Sequence, residues 1–231
     1  MTAERTTLRN RNGAQAPFVV AHRAGNDLAR LRAAEALGIS LVEADVHLFR
    51  GRVEVRHLKT IGPLPILWDR WRLANPFAPR LLLYDLLAAV SPDTELMIDL
   101  KGRDERLCRH VLDALAATPP RRTTVCSRSW SLLEPFRGRP RIRVVHSVGS
   151  ARQLRMLLRR YPMQSLQGVS IHERLLDGTT VQELRRRAAL VVTWPVNTLQ
   201  RARDLAAWGV DGMISDRPEL TVELAGAPAD A

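Results

Sequence analysis

The chain has 231 residues, 45% of them hydrophobic and 5% aromatic, and 35 Lys+Arg against 24 Asp+Glu leave a net charge of +11. That length suits one α/β barrel with a real core, and the charge favours anionic partners such as phosphates, phospholipid head groups or nucleic acid. The arginines are spread over many segments with few aromatics between them, which argues against a specific nucleic-acid interface; two cysteines, Cys108 and Cys126, argue against a disulfide framework or a cysteine zinc site.

Residues 1–16 are polar and aperiodic and read as a flexible lead without the apolar run of a secretory signal. No window reaches the ~18 apolar residues of a spanning helix, so a cytoplasmic protein without a transmembrane segment is expected. "APFVVAH" predicts a first strand ending in His22, and "NDLARLRAAEALG" a helix capped by Asn26, with Leu28, Leu31 and Leu37 in one stripe and Gly38 as its stop. "ISLVEADVHL" predicts a second strand. Its period of two puts Val42, Ala44, Val46 and Leu48 on one face and Glu43, Asp45 and His47 on the other. Two carboxylates side by side repel, and burying either is costly unless a cation compensates.

"RGRVEVRH" reads as a hairpin arm turning at Gly51 and ending in His57. Residues 59–80, rich in Pro and Trp, predict a long loop with short helical pieces, in which Trp68 and Trp71 either anchor packing or form a lid over a lipid-like substrate. Helices and strands then alternate: "YDLLAAVS", "TELMIDLKG", "DERLCRHVLDALAA", "TTVCSRS", "WSLLEPFRG", "RIRVVHSV", "SARQLRMLLRRYP" capped by Ser150, "LQGVSIH", "TTVQELRRRA", "ALVVTWPV", "TLQRARDLAAWG" and "DGMISD", before a tail at 221–231. Eight strand candidates alternating with helices predict a (β/α)₈ TIM barrel over residues 17–220. The rival, a doubly wound open sheet, lacks a glycine-rich phosphate turn after its first strand.

Barrel chemistry sits at the C-terminal strand ends. His22, Glu43, Asp45, His57, Asp99, Lys101, Ser127, His146, His172, Trp194, Asn197 and Asp216 all fall at or just after such ends. Glu43, Asp45 and Asp99 form an oxygen-only set suited to one divalent cation, Mg²⁺ or Ca²⁺. Such a cation polarises a phosphoryl oxygen and activates a hydroxyl. His22 and His57 are the natural acid–base pair, Arg23 and Lys101 can hold phosphate oxygens, and Trp194 offers an aromatic wall. His47 reads as a rim residue, His146 and His172 as pocket lining or plain strand ends, and both cysteines as core.

Several blocks together resemble the glycerophosphodiester phosphodiesterase family. "AHRAG" is similar to its first catalytic block (His22, Arg23), "VEADVHL" to its Glu-x-Asp metal block (Glu43, Asp45), "VEVRH" to the arm carrying its second histidine (His57), and "MIDLKG" to its third metal block (Asp99, Lys101). "TWPVNT" and "GVDGMISDRPEL" resemble its C-terminal blocks, so the likeness runs from about residue 17 to about 220. The Pro-Glu-Asn-Thr segment usual after the first block is missing, Leu58 follows His57 where the family has Asp, and Asp99 stands where the family has Glu. The resemblance implies metal-dependent hydrolysis of a glycerophosphodiester to glycerol 3-phosphate and an alcohol, with a small anionic phosphodiester or lysophospholipid as substrate. Two other readings stay open. One is a phospholipase like sphingomyelinase D or lysophospholipase D, with peripheral membrane contact through the Trp-rich loop; the other is a non-catalytic phosphate-binding barrel.

Overall fold

Each of the eight predicted strands forms, and inward-facing polar residues gather at or just beyond their C-terminal ends. They are β1 (Phe18–Ala21), β2 (Leu41–Phe49), β3 (Glu95–Leu100), β4 (Thr123–Ser127), β5 (Ile142–Val148), β6 (Gly168–His172), β7 (Val191–Trp194) and β8 (Gly212–Ser215). A computed structural model describes residues 8–9, 15–61, 64–69, 72–74, 79–217, 219–220 and 223. Neighbouring barrel strands are parallel and follow chain order, and β8 closes on β1 through Ile214↔Val20. The fold is a closed (β/α)₈ barrel, and closure leaves its parallel strands no open edge. Helices α1 (Leu28–Ala36), α2 (Leu83–Ala89), α3 (Arg106–Ala116), α4 (Ala151–Arg160), α5 (Gly178–Arg185) and α6 (Leu199–Ala207) flank it. Between β4 and β5 a 3₁₀ segment, Trp130–Phe136, takes the helical place. Pro135 inside that segment lacks the N–H that a longer α-helix would need.

Alternation along the strands divides the core in two. Outward residues such as Val42, Ala44, Val46, Ile98 and Val125 pack under the helices with Leu31, Leu83, Leu107 and Leu184. Inward residues Val20, Met97, Cys126, Val145, Val192 and Ile214 form a smaller cluster inside the barrel. The inward parity continues upward into polar residues: Asp45 pairs in register with Asp99, Asp99 with Cys126, Ser147 with Ser170, and His172 with Trp194. The apolar plug therefore floors a polar mouth.

Three local expectations are corrected. Asp27, not Asn26, caps α1, accepting from the backbone N–H groups of Ala29 and Arg30; Asn26 is engaged elsewhere, as shown below. Leu31 is buried, but Leu28 (40%) and Leu37 (41%) are exposed, so the predicted stripe shrinks to Leu31 with Ala34. Residues 59–74 hold three short antiparallel strands, Lys59–Ile61, Leu64–Asp69 and Arg72–Ala74, in place of helical pieces. Pro63 and Pro65 oppose helix there, and the apolar run in "LPILWD" suits a strand. Within the expected flexible lead, Leu8–Arg9 pairs antiparallel with Gln15–Ala16. Trp71, the Trp68 side chain and most of the tail at 221–231 lie outside the described residues. Among the described residues no helix is long and apolar enough to cross a membrane.

Candidate active site

The segment after β1 turns sharply so that three of its groups meet β2. Arg23 adopts a left-handed backbone (φ 54°), and its N–H donates to Glu43 Oε2 at 2.7 Å. Asn26 Nδ2 donates to Asp45 Oδ2 at 2.9 Å, and Asn26 Oδ1 accepts the Asp45 N–H at 2.8 Å. Gly25 permits this approach: a Cβ there would lie 2.8 Å from Ala44 Cβ and 3.1 Å from the Glu43 carbonyl. The hairpin arm Arg52–Val55, turning through Arg50 and Gly51 with positive φ, runs back along β2. The Arg56 N–H then donates to the Asp45 carbonyl at 2.9 Å, and His57 Nδ1 lies 3.1 Å from Asp45 Oδ2.

Glu43, Asp45 and Asp99 each place a carboxylate oxygen within 4.8 Å of the others. Glu43 is 4% and Asp45 1% exposed. Lys101 Nζ sits among them, 2.5 Å from Asp45 Oδ1 and paired with Asp99 Oδ2. Burial favours the neutral amine, but Asp99, Asp45 and Glu43 hold the Lys101 ammonium charged well above its usual range. Burial, then the Asp45 charge, push the Glu43 carboxyl well above the usual carboxylate range, and burial likewise raises Asp99. Asp45 goes the other way: burial pushes it up, but hydrogen bonds from His57, Lys101 and Asn26 and the Lys101 charge pull it well below. Three acids thus share one lysine, and Asp99 Oδ1 is buried without a hydrogen-bond partner. An oxygen-only set with an orphaned carboxylate oxygen and an excess of negative charge fits a hard divalent cation.

A second pair lies across the closure. His22 Nδ1 is 2.7 Å from Asp216 Oδ1, and Asn197 Nδ2 donates to Asp216 Oδ2 at 3.0 Å. Asn197 Oδ1 accepts the Asp216 N–H at 3.0 Å, so the carboxylate is held at both ends. Burial and then Arg23 lower the His22 imidazole, against Asp216, which raises it. Burial opposes ionisation of Asp216, but Asn197 and His22 hold it below the usual range.

The acid cluster with Lys101, both imidazoles, Arg23 and Asp216 line one cavity of ≈ 270 Å³ at the barrel mouth, completed by Arg128, Ser147, Ser170, His172 and Trp194. His172 and Trp194 have ring centroids 4.8 Å apart, and the Arg128 guanidinium lies 4.8 Å from the Trp194 ring centre. The eight residues given a catalytic, metal-binding or substrate-binding role from the sequence, His22, Arg23, Glu43, Asp45, His57, Asp99, Lys101 and Trp194, border this cavity, as do His172 and Asp216. His146 does not. It has outward parity, hydrogen-bonds Tyr161 at 3.1 Å and packs edge-on to Trp130, where burial lowers its imidazole to about 4. Ser127 also faces out, its Oγ donating to the Leu100 carbonyl at 2.8 Å. His47 does not line the cavity, and burial, then Arg56 and Lys101, lower its imidazole to about 3. Cys126 is core, as expected, and also borders the cavity. Asn26 and Arg128 were missed as site groups. The continued inward parity beyond β4, Thr124, Cys126, Arg128, is the signal that points to the arginine.

The model of the "Glycerophosphoryl diester phosphodiesterase family" matches residues 87–220. Its span covers Asp99, Lys101, Trp194 and Asp216; the blocks around His22, Glu43, Asp45 and His57 lie before it and are joined to them by the fold. The chain is similar to three solved structures. One is an Oleispira antarctica phosphodiesterase in complex with the product sn-glycerol-3-phosphate (19% identity, 92% of this chain and 98% of that one, TM-score 0.72). Another is the Thermotoga maritima glycerophosphodiester phosphodiesterase (20%, 91% and 99%, 0.70). The third is a glycerophosphodiester phosphodiesterase from Parabacteroides distasonis ATCC 8503 (21%, 90% and 96%, 0.70). A comparison with curated proteins finds no match.

Proposed function

The chain belongs to the glycerophosphoryl diester phosphodiesterase family and is a phosphoric diester hydrolase, and from that premise we propose that it cleaves a glycerophosphodiester to glycerol 3-phosphate and an alcohol with a divalent cation and two histidines. One observation carries this reading: three carboxylates within 4.8 Å of one another share a mouth with two imidazoles, each held at Nδ1 by a carboxylate. Glu43, Asp45 and Asp99 would hold Mg²⁺ or Ca²⁺, which supplies positive charge to polarise a phosphoryl oxygen. Arg23 and Lys101 bind the remaining phosphate oxygens, the arginine as a fork and the lysine as a point charge. Asp216 fixes the His22 ring and leaves Nε2 to exchange a proton with substrate. One imidazole accepts the proton of the attacking hydroxyl and the other protonates the departing alcohol oxygen; attack by water gives glycerol 3-phosphate directly, whereas attack by the substrate's glycerol hydroxyl gives a cyclic phosphate that water then opens to glycerol 3-phosphate. Burial, which keeps His22 neutral, suits it to the accepting role.

Residues 17–220 are proposed as the catalytic unit, and two buried free thiols support a reducing, cytoplasmic setting. The test is release of glycerol 3-phosphate from glycerophosphodiesters with Mg²⁺, with Ca²⁺ and with EDTA. Cation-dependent release that is lost in His22→Ala and Asp99→Asn supports the proposal; full release in EDTA, or none with any cation, refutes it.

A further inference from the structure

Arg128 leaves the end of β4, yet its guanidinium lies 4.8 Å from the centre of the Trp194 ring on β7, three strands away. It crosses the mouth beside Gly149, where a Cβ would come within 3.1 Å of its Cζ and Nε. Gln153 steadies the crossing. Its Nε2 donates to the Arg128 carbonyl at 3.2 Å, and its Oε1 accepts the Gly149 N–H at 2.9 Å. Among the described residues Arg128 forms no ion pair with a carboxylate, whereas Asp45 pairs with Lys101 and His57, Asp99 with Lys101, and Asp216 with His22. The far side of the cavity therefore presents a fixed positive charge laid over its aromatic surface.

We propose that this Arg128–Trp194 crossbar selects the diester by its second arm, accepting arms that carry hydroxyls or a further anionic group and turning away quaternary ammonium arms. The inference rests on the phosphodiesterase reading above. A bare Trp face attracts a trimethylammonium group by cation–π interaction; here the guanidinium already covers that face and repels a second cation. A guanidinium offers five N–H donors in a planar fork, which suit phosphate, carboxylate or polyol oxygens. Like charges ~5 Å apart, in surroundings between water and a protein surface, separate the two classes of arm by roughly fourfold to a few hundredfold.

The test uses the full chain with cation, measuring kcat/KM on glycerophosphocholine, glycerophosphoinositol and glycerophosphoglycerophosphate. Calorimetry on non-cleavable phosphonate analogues with choline and inositol arms runs alongside. The parent favours the polyol and phosphate arms by that factor in both measurements. Arg128→Gln collapses the ratio by raising the choline substrate, and Arg128→Lys, which keeps the charge but loses the planar cover, retains part of it. Equal use of all arms by the parent, or an equal loss on every arm in Arg128→Gln, overturns the crossbar and leaves the phosphodiesterase reading standing. If no diester is cleaved, that reading fails. The phosphonates then decide the crossbar alone, and equal binding of both arms overturns it.

Discussion

Replacing Glu43 by Gln separates the charge of the acid cluster from its shape. The Gln carbonyl still accepts the Arg23 N–H, now made to Glu43 Oε2 at 2.7 Å, and the volume is unchanged. One buried negative charge within 4.8 Å of two others disappears. At an effective dielectric of ~20, a like-charge contact at that distance costs about 3 kcal/mol, of which Lys101 and partial protonation of Glu43 offset a share. A gain of about 1–2 kcal/mol is therefore expected without cation, or about 2–8 °C in Tm for a chain of this size. With cation the order reverses. Mg²⁺ or Ca²⁺ at a hundred times its Kd stabilises the parent by about 2.7 kcal/mol, or about 5–10 °C, and the variant by far less. Calorimetric melts at pH 7.5 in EDTA and in a cation series read both effects, and the crossing of the two ranks is the diagnostic. A variant that melts below the parent in EDTA, or that keeps the full cation shift, would refute the idea that these carboxylates are paired against a missing positive charge.

Three further outcomes follow from single contacts. Asp216→Asn removes the charge that raises His22, so the His22-controlled acidic limb of the kcat/KM profile moves to lower pH while kcat falls by roughly 10²–10⁴-fold; an unmoved limb argues against the pairing. Asn26→Ala strips two hydrogen bonds from Asp45 and leaves its buried N–H without an acceptor. Urea denaturation should register a loss of about 2–4 kcal/mol, and a loss below half of the lower figure would mean that water replaces the side chain. His146 sits near 4 in the folded state against ~6.5 in the unfolded chain, which therefore takes up the proton first as pH falls. Stability from this residue is full above pH ~6.5 and declines by about 3 kcal/mol down to pH ~4, so His146→Gln should flatten that acid slope in denaturant midpoints; an unchanged slope assigns it to other groups.

The alternation in "SLVEADVHL" and "TELMIDLKG" was enough to place Glu43, Asp45 and Asp99 on inward faces, because side-chain parity is a property of the strand itself. The run of strands separated by helices was enough for the barrel. Parity followed without exception would also have set His146 outside, since it shares the outward face of Val144 and Val148. Other features needed the closed ring. Asp216 meets His22 across 194 positions of chain because β8 pairs with β1. Asn26 passes the cap of α1 to Asp27 because the turn after β1 brings it against Asp45. Arg128 reaches Trp194 because barrel curvature brings the ends of β4 and β7 over one cavity. Local pattern thus determined which face each side chain takes and which strands exist; only tertiary closure decided which polar groups face one another. Contacts between distant segments depend on register and curvature, which no short window of residues contains.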